Sequence, residues 1–198
     1  MSIPVLIVTG FLGCGKTSFL RHLLPLCKEA KLKPALIINE VGDIDVDGEL
    51  LADLHTEQIK LIGGCICCTL QSQLAETIQS ILESNKYNII IIECSGLSNP
   101  IDIANILTTP SLISHVEINH IVCLVDSSRA DKVLRVAEIA ILQISYADLV
   151  ILNKEDLVNF AKAEVIESLI EEHTAKSDVI WAKYGNIGKD QMMALLTD

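Results

Sequence analysis

Gly10, Gly13, Gly15, Lys16 and Thr17 stand in the run Gly-Phe-Leu-Gly-Cys-Gly-Lys-Thr, which fits G-x-x-x-x-G-K-[ST]. Each residue type has a task in gripping a polyphosphate. Glycines let the backbone curl until successive N–H groups face one anion. A helix starting at the lysine adds the positive end of its dipole. The pattern therefore predicts that Gly13, Cys14 and Gly15 cradle phosphate through the main chain. Lys16 reaches the outer phosphoryl groups, the Thr17 hydroxyl ligates Mg²⁺, and Ser18 completes the contacts at the helix start. Such a loop binds a nucleoside triphosphate.

Two further clusters extend that chemistry. Asn153-Lys154-Glu155-Asp156 closes the aliphatic run Leu149–Leu152 and matches N-K-x-D, the guanine-recognition motif. The Asp156 carboxylate can accept from both the guanine ring N–H and its exocyclic amine. Adenine lacks that pair and would leave the charge unpaired, at about 1–3 kcal/mol or more. Asn153 and the stem of Lys154 would hold the loop and the base face, so the triphosphate is read as GTP. Glu93 ends Ile89–Ile92 and opens Glu93-Cys94-Ser95-Gly96. A carboxylate at a strand end suits the second half of a magnesium–phosphate site, where it polarises a bound or attacking water. Gly96 is placed to offer its N–H to a γ-phosphate. Lys16 and Glu93 are thus the catalytic candidates.

Gly63-Gly64-Cys65-Ile66-Cys67-Cys68 is a different chemistry. Three thiols in C-x-C-C can converge on a soft or borderline ion such as Zn²⁺, Co²⁺ or Cu⁺ and leave a coordination position open. Glu40, directly after the second strand, is a candidate fourth ligand, with a solvated loop carboxylate as the alternative. Asp43 to Gly48 begins like a calcium loop, but Leu54 stands where a bidentate Glu is required. Calcium is rejected there. Cys14 and Cys94 flank the expected γ-phosphate position, which mostly means that small side chains are required there; as a hypothesis, their placement also suggests that oxidation could block nucleotide binding.

These groups need a scaffold that brings residues 10, 93 and 153 together. The run Ile3–Val8, broken only by Pro4, predicts a strand, and Leu20, Leu23, Leu24 and Cys27 at helical spacing predict a helix after it. Pro25 predicts a kink or an early end to that helix. Further aliphatic runs fall at Ala35–Ile38, Ile59–Ile62, Ile89–Ile92, Ile121–Val125, Leu149–Leu152 and Val179–Trp181. Helical patterns lie between them (Leu74, Ile78, Ile81, Leu82; Val165, Ile166, Leu169, Ile170). Strands apolar on both faces belong to a mostly parallel sheet covered by helices. The expected fold is α/β, doubly wound, with about seven strands. The polar, acidic stretch 39–57 is where a mobile loop is expected.

Composition narrows the functional classes. A net charge of −11 with no basic stripe argues against nucleic acid. No apolar run is long enough to span a bilayer, and the phosphate loop comes too early for a signal peptide. Seven cysteines, an odd number, do not suit a secreted disulfide framework, so a cytoplasmic location is expected.

With the phosphate loop, Asn39-Glu40, GGCICC, Glu93-Cys94-Ser95-Gly96 and the guanine motif in this order, the chain resembles the CobW-like P-loop GTPases, relatives of the urease and hydrogenase nickel-insertion GTPases. The resemblance includes Ile144-Ser145-Tyr146-Ala147-Asp148, and Tyr184-Gly185-Asn186-Ile187, where the family closes its nucleotide pocket. It implies a GTP-dependent metallochaperone that traffics zinc in some members and cobalt for cobalamin in others. Lys16 and Thr17 then serve phosphate and Mg²⁺, Glu93 the magnesium–water network, and Cys65, Cys67 and Cys68 the transferred metal. A metal-dependent client protein is the implied partner, and the class commonly acts as a homodimer. Two features depart from the family. Cys14 and Cys94 replace residues that are usually other small ones. The chain reads as a single GTPase domain, 1–198, without the second C-terminal domain and His-rich linker of many members, so either a separate docking partner supplies client docking and metal loading or the role has diverged.

The expected mechanism is a switch in which GTP orders residues 39–57 and brings Glu40 toward the thiolates, and hydrolysis releases both. The alternative is a nucleotide-gated interaction or regulatory module with a structural or redox-sensitive thiol site. A small-molecule kinase would need an Arg-rich lid, and Arg21, Arg129 and Arg135 stand in no obvious one.

Overall fold

The computed structural model describes residues 2–38, 57–60, 67–174 and 177–197. Strands and helices alternate along the chain. β1 (Ile3–Thr9) leads into α1 (Lys16–Glu29), followed by β2 (Pro34–Ile38), β3 (Glu57–Lys60), α2 (Cys67–Ser84) and β4 (Ile89–Glu93). Then come α3 (Pro100–Leu107), β5 (Val116–Asp126), α4 (Ala130–Val136), α5 (Glu138–Ser145) and β6 (Leu149–Asn153). A one-turn 3₁₀ segment, Glu155–Leu157, precedes α6 (Phe160–Glu171), β7 (Asp178–Trp181) and α7 (Lys189–Thr197).

Among the described residues, seven strands form one sheet in the order β3-β2-β4-β1-β5-β6-β7, and every ladder between them is parallel. This is the doubly wound architecture expected from aliphatic strands alternating with helices. β1 lies between β4 and β5, so the chain leaves it toward one edge and later returns to build the other. The carboxyl ends of β1, β4 and β5 therefore open onto one crevice, the place where ligands bind in such sheets.

Strand periodicity divides the core in two. Leu6 and Val8 of β1 face α1 and α7, where they meet Leu20, Leu24, Leu195 and Leu196. Val5 and Ile7 face the opposite layer with Ile78 of α2 and Ile103 and Ile106 of α3. On the far half of the sheet Val150 and Leu152 pack on Ile144, Ile166 and Ile170. Asn99 and Asn159 cap α3 and α6, their side-chain oxygens accepting from Ile101 N and Lys162 N.

The structure corrects several expectations. Pro25 neither ends nor shortens α1, which runs on to Glu29. An internal proline costs about 3 kcal/mol, but Leu23, Leu24, Leu26 and Cys27 beside it are all buried. At about 1.5–3 kcal/mol for each buried aliphatic side chain, packing on the sheet outweighs the lost hydrogen bond. β5 begins five residues earlier than the run Ile121–Val125. Its first half alternates Val116, Glu117, Ile118 and Asn119 and pairs with the start of β1 across a register shift at Val5/Leu6. The described part of β3, Glu57–Lys60, lies toward the N-terminal side of the predicted Ile59–Ile62. Val165 points outward, leaving Ile166 and Ile170 as the buried residues of α6.

Candidate functional site

The phosphate loop spans the gap between β1 and α1, and Gly15 is the residue that caps the helix, at φ 107. A Cβ at this position would stand 2.3 Å from Asn153 Nδ2, so glycine is required by both backbone and neighbour. Lys16 is largely buried, and its ammonium donates to the Gly10 carbonyl at 3.0 Å. Thr17 follows on the first turn, its hydroxyl 3.3 Å from Glu93 Oε1 as a donor. Glu93 ends β4 and is 2% exposed. The hydroxyl and carboxylate are hard oxygen donors facing each other at a helix start, a donor set that fits Mg²⁺.

Gly96, three residues after Glu93, touches the phosphate loop. A Cβ there would lie 2.7 Å from Leu12 N and 2.6 Å from Leu12 Cδ2. The loop after β4 thus lies directly against the loop after β1, as a shared γ-phosphate pocket requires.

Asn153, at the end of β6, links three loops. Its amide donates to the Cys14 carbonyl at 2.8 Å, and its Oδ1 accepts from Gly185 N at 2.9 Å. Beside it, Glu155 N donates to the Ala182 carbonyl at 3.1 Å. The guanine motif, the phosphate loop and the segment Tyr184–Ile187 are therefore one hydrogen-bonded unit. Next to it lies a cleft of about 430 Å³ lined by His22, Glu155, Trp181, Lys183, Tyr184 and Asn186. Asp156 is exposed on the short turn after β6, open to a donor arriving from solvent.

Two charged residues of the site, Asp126 and Arg129, escaped the sequence reading. Lys154, at φ 63, donates to Asp126 Oδ2 at 2.7 Å. Arg129 Nε donates to the same oxygen at 3.0 Å, and Ser128 donates to Oδ1 at 2.6 Å. Burial works against the Asp126 charge, yet hydrogen bonds from Lys154, Ser128 and Arg129 hold its carboxyl below the usual range. Arg129 also leans over the phosphate loop: a Cβ on Gly13 would be 3.1 Å from its Nη2. Asp126 was open to the rule that singled out Glu93, a carboxylate closing an aliphatic strand. Arg129 carries no such signal.

Cys14 and Cys94 are each only 1% exposed. Burial raises the Cys14 thiol and pushes Cys94 up to about 12. Since the thiolate is the reactive form, the idea that oxidation here blocks nucleotide binding is not supported. In a Cys65/Cys67/Cys68→Ser background, mild peroxide should leave GTP affinity unchanged. Iodoacetamide should label Cys14 and Cys94 quickly only after unfolding, as read by mass spectrometry. Rapid labelling of the native protein would contradict this.

Cys65 and Glu40 lie outside the described residues, and Cys67 and Cys68 are the first two residues of α2. Among the described residues, no group of three or more His, Cys, Asp or Glu could hold a metal ion. No helix among them is long and apolar enough to cross a membrane.

Residues 4–181 match the family described as CobW/HypB/UreG, nucleotide-binding domain. The chain belongs to this family. Among CobW-type relatives, Zinc-regulated GTPase metalloprotein activator 1 of Schizosaccharomyces pombe is 34% identical over 194 residues, 93% of this chain and 47% of that protein. The Zinc chaperone CobW of Sinorhizobium sp is 34% identical over 223 residues, 98% of this chain and 62% of the relative. The crystal structure of Zn(II)-bound YjiA GTPase from E. coli superposes with a TM-score of 0.69 at 26% identity, covering 91% of this chain and 57% of that one. The chain thus spans about half to three-fifths of the length of these relatives.

Proposed function

We propose that residues 1–198 act as one GTPase domain of a cytoplasmic metallochaperone, which binds and slowly hydrolyses GTP to drive transfer of a transition metal. The observation that carries the reading is Asn153, whose side chain holds the phosphate loop and the Tyr184–Ile187 loop in one unit beside the guanine motif. A bare phosphate-loop protein has no need of that brace; a protein that reads the base and the phosphates together does. The names of the relatives, zinc chaperone and metalloprotein activator, point the same way.

In this proposal Gly13, Cys14, Gly15 and Ser18 contact phosphate through the main chain, and Lys16 leaves the Gly10 carbonyl to meet the outer phosphoryl groups. Thr17, with Glu93 beside it, would hold Mg²⁺, which when bound would supply charge neutralisation for the phosphates. Glu93 orients the attacking water, Gly96 offers its N–H to the γ-phosphate, and Lys154 and Asp156 take the base. Zinc or cobalt is cargo, carried by Cys65, Cys67 and Cys68 with Glu40 as a fourth ligand, and passed to a metal-dependent client either directly or through a separate docking partner. A homodimer would put the nucleotide near the subunit interface.

If nucleotide and cargo are coupled, linkage makes the effect reciprocal. Zn²⁺ should therefore change the affinity for a non-hydrolysable GTP analogue by about 5–150-fold, and the analogue should change Zn²⁺ affinity by the same factor. Calorimetry on anaerobically purified protein measures both. Equal affinities with and without Zn²⁺ would remove the coupling, and metal retained by the Cys65/Cys67/Cys68→Ser variant would remove the thiol site.

A further inference from the structure

Gln143 is a polar residue in an otherwise apolar place. It sits on α5, wholly buried, where a leucine or methionine would fill the same space. Its amide nitrogen donates to the Ser98 carbonyl at 3.0 Å and lies 3.3 Å from the Gly96 carbonyl, which also accepts from it. An amide NH₂ carries two donors, so a single side chain, 45 and 47 residues away in sequence, can hold two carbonyls of the loop after β4. Its Oε1 is also buried and has no hydrogen-bond partner among the described residues. An orphaned buried acceptor is destabilising, and an apolar side chain would avoid it. Core stability accounts for the two donated bonds, which satisfy the Gly96 and Ser98 carbonyls, but not for the orphaned oxygen.

What the side chain holds explains the position better. Gly96 is wedged between Gln143 on one side and Leu12 of the phosphate loop on the other. The Ser95 and Ser98 hydroxyls, 2.8 Å apart, close the same turn from within. A loop held on both sides can present its N–H groups to an anion without ordering itself first, and that lowers the entropic cost of binding. On the proposed reading, the loop of residues 10–17 would seat the β-phosphate and the Gly96 N–H would meet the third phosphate, so a held Gly96 loop would matter to GTP and not to GDP.

We propose that Gln143 is the positioning residue that sets the Gly96–Ser98 loop to read the third phosphate, and so produces a preference for GTP over GDP. The inference rests on the reading of this pocket as a GTP site. It concerns a residue on α5, outside the phosphate, magnesium and base contacts.

The test uses Gln143→Met and Gln143→Leu, which keep most of the volume and remove both the donors and the orphaned oxygen. Affinities for GDP and for a non-hydrolysable GTP analogue are measured by calorimetry, with thermal midpoints alongside. Both variants should stay folded with a somewhat lowered midpoint, because the Gly96 and Ser98 carbonyls lose their donor, while GDP affinity stays within about twofold of the parent and analogue affinity falls by about tenfold. Equal weakening of both nucleotides with a lowered midpoint would show a merely structural role and overturn the inference, as would no change in either. A parent protein that binds neither nucleotide would instead overturn the reading of the pocket itself.

Discussion

Asp156→Asn should exchange guanine for xanthine as the preferred base. The carboxylate accepts twice, and guanine offers two donors at matching positions, its ring N–H and its amine. Asparagine presents one acceptor and one donor. Xanthine carries an oxygen where guanine carries the amine, so it restores the match. Two charge-assisted hydrogen bonds, each contributing about 1.5–3 kcal/mol, put the loss of GTP affinity on the order of 10³-fold. XTP should bind the variant more tightly than GTP does. The side chain is exposed, so little stability should change, and competition binding against GTP and XTP is a direct readout. A variant that keeps full GTP affinity would show that Asp156 does not touch the base.

Asn153→Ala should be costly in a different way. Its amide and carbonyl are both used, on Cys14 O and Gly185 N, and Asn153 is almost wholly buried. Alanine would leave both backbone groups unpaired at about 1–3 kcal/mol each. A loss of about 2–5 kcal/mol is therefore expected in urea unfolding. Gly15, only 2.3 Å from the asparagine when given a Cβ, would lose the neighbour that fixes its place. Nucleotide affinity should drop by more than tenfold even under conditions where the variant remains folded. An unchanged unfolding midpoint would mean that the three loops are braced by other contacts.

Much of this site could be read from residue order, because each part lies at the end of an aliphatic run. Gly10 follows Ile3–Val8, Glu93 follows Ile89–Ile92 and Asn153 follows Leu149–Leu152, so strand pattern and chemistry point to the same crevice. Legibility stopped where long-range partners decide the outcome. Pro25 looked like a breaker until the burial of Leu23, Leu24 and Cys27 was known. The first half of β5 alternates and depends on β1 to pair with. Gln143 is unremarked in a helical pattern and gains meaning only from the carbonyls of Gly96 and Ser98. Likewise, Cys14 and Cys94 are small residues near phosphate in one dimension and closed core thiols in three.

The all-parallel sheet has a consequence for how the protein is made. Parallel neighbours cannot be joined by tight hairpins, and each pairing waits for a crossover to be completed. The crevice is assembled from segments near residues 10, 93, 126, 153 and 185, so a growing polypeptide has no pocket until the last of these has left the ribosome. On the proposed function, nucleotide would bind only once the segment near residue 185 is in place, and its binding free energy would add to the stability of the assembled sheet. If the pocket holds a guanosine nucleotide as proposed, that nucleotide would act as a late folding partner, favouring molecules in which the described strands have come together in register.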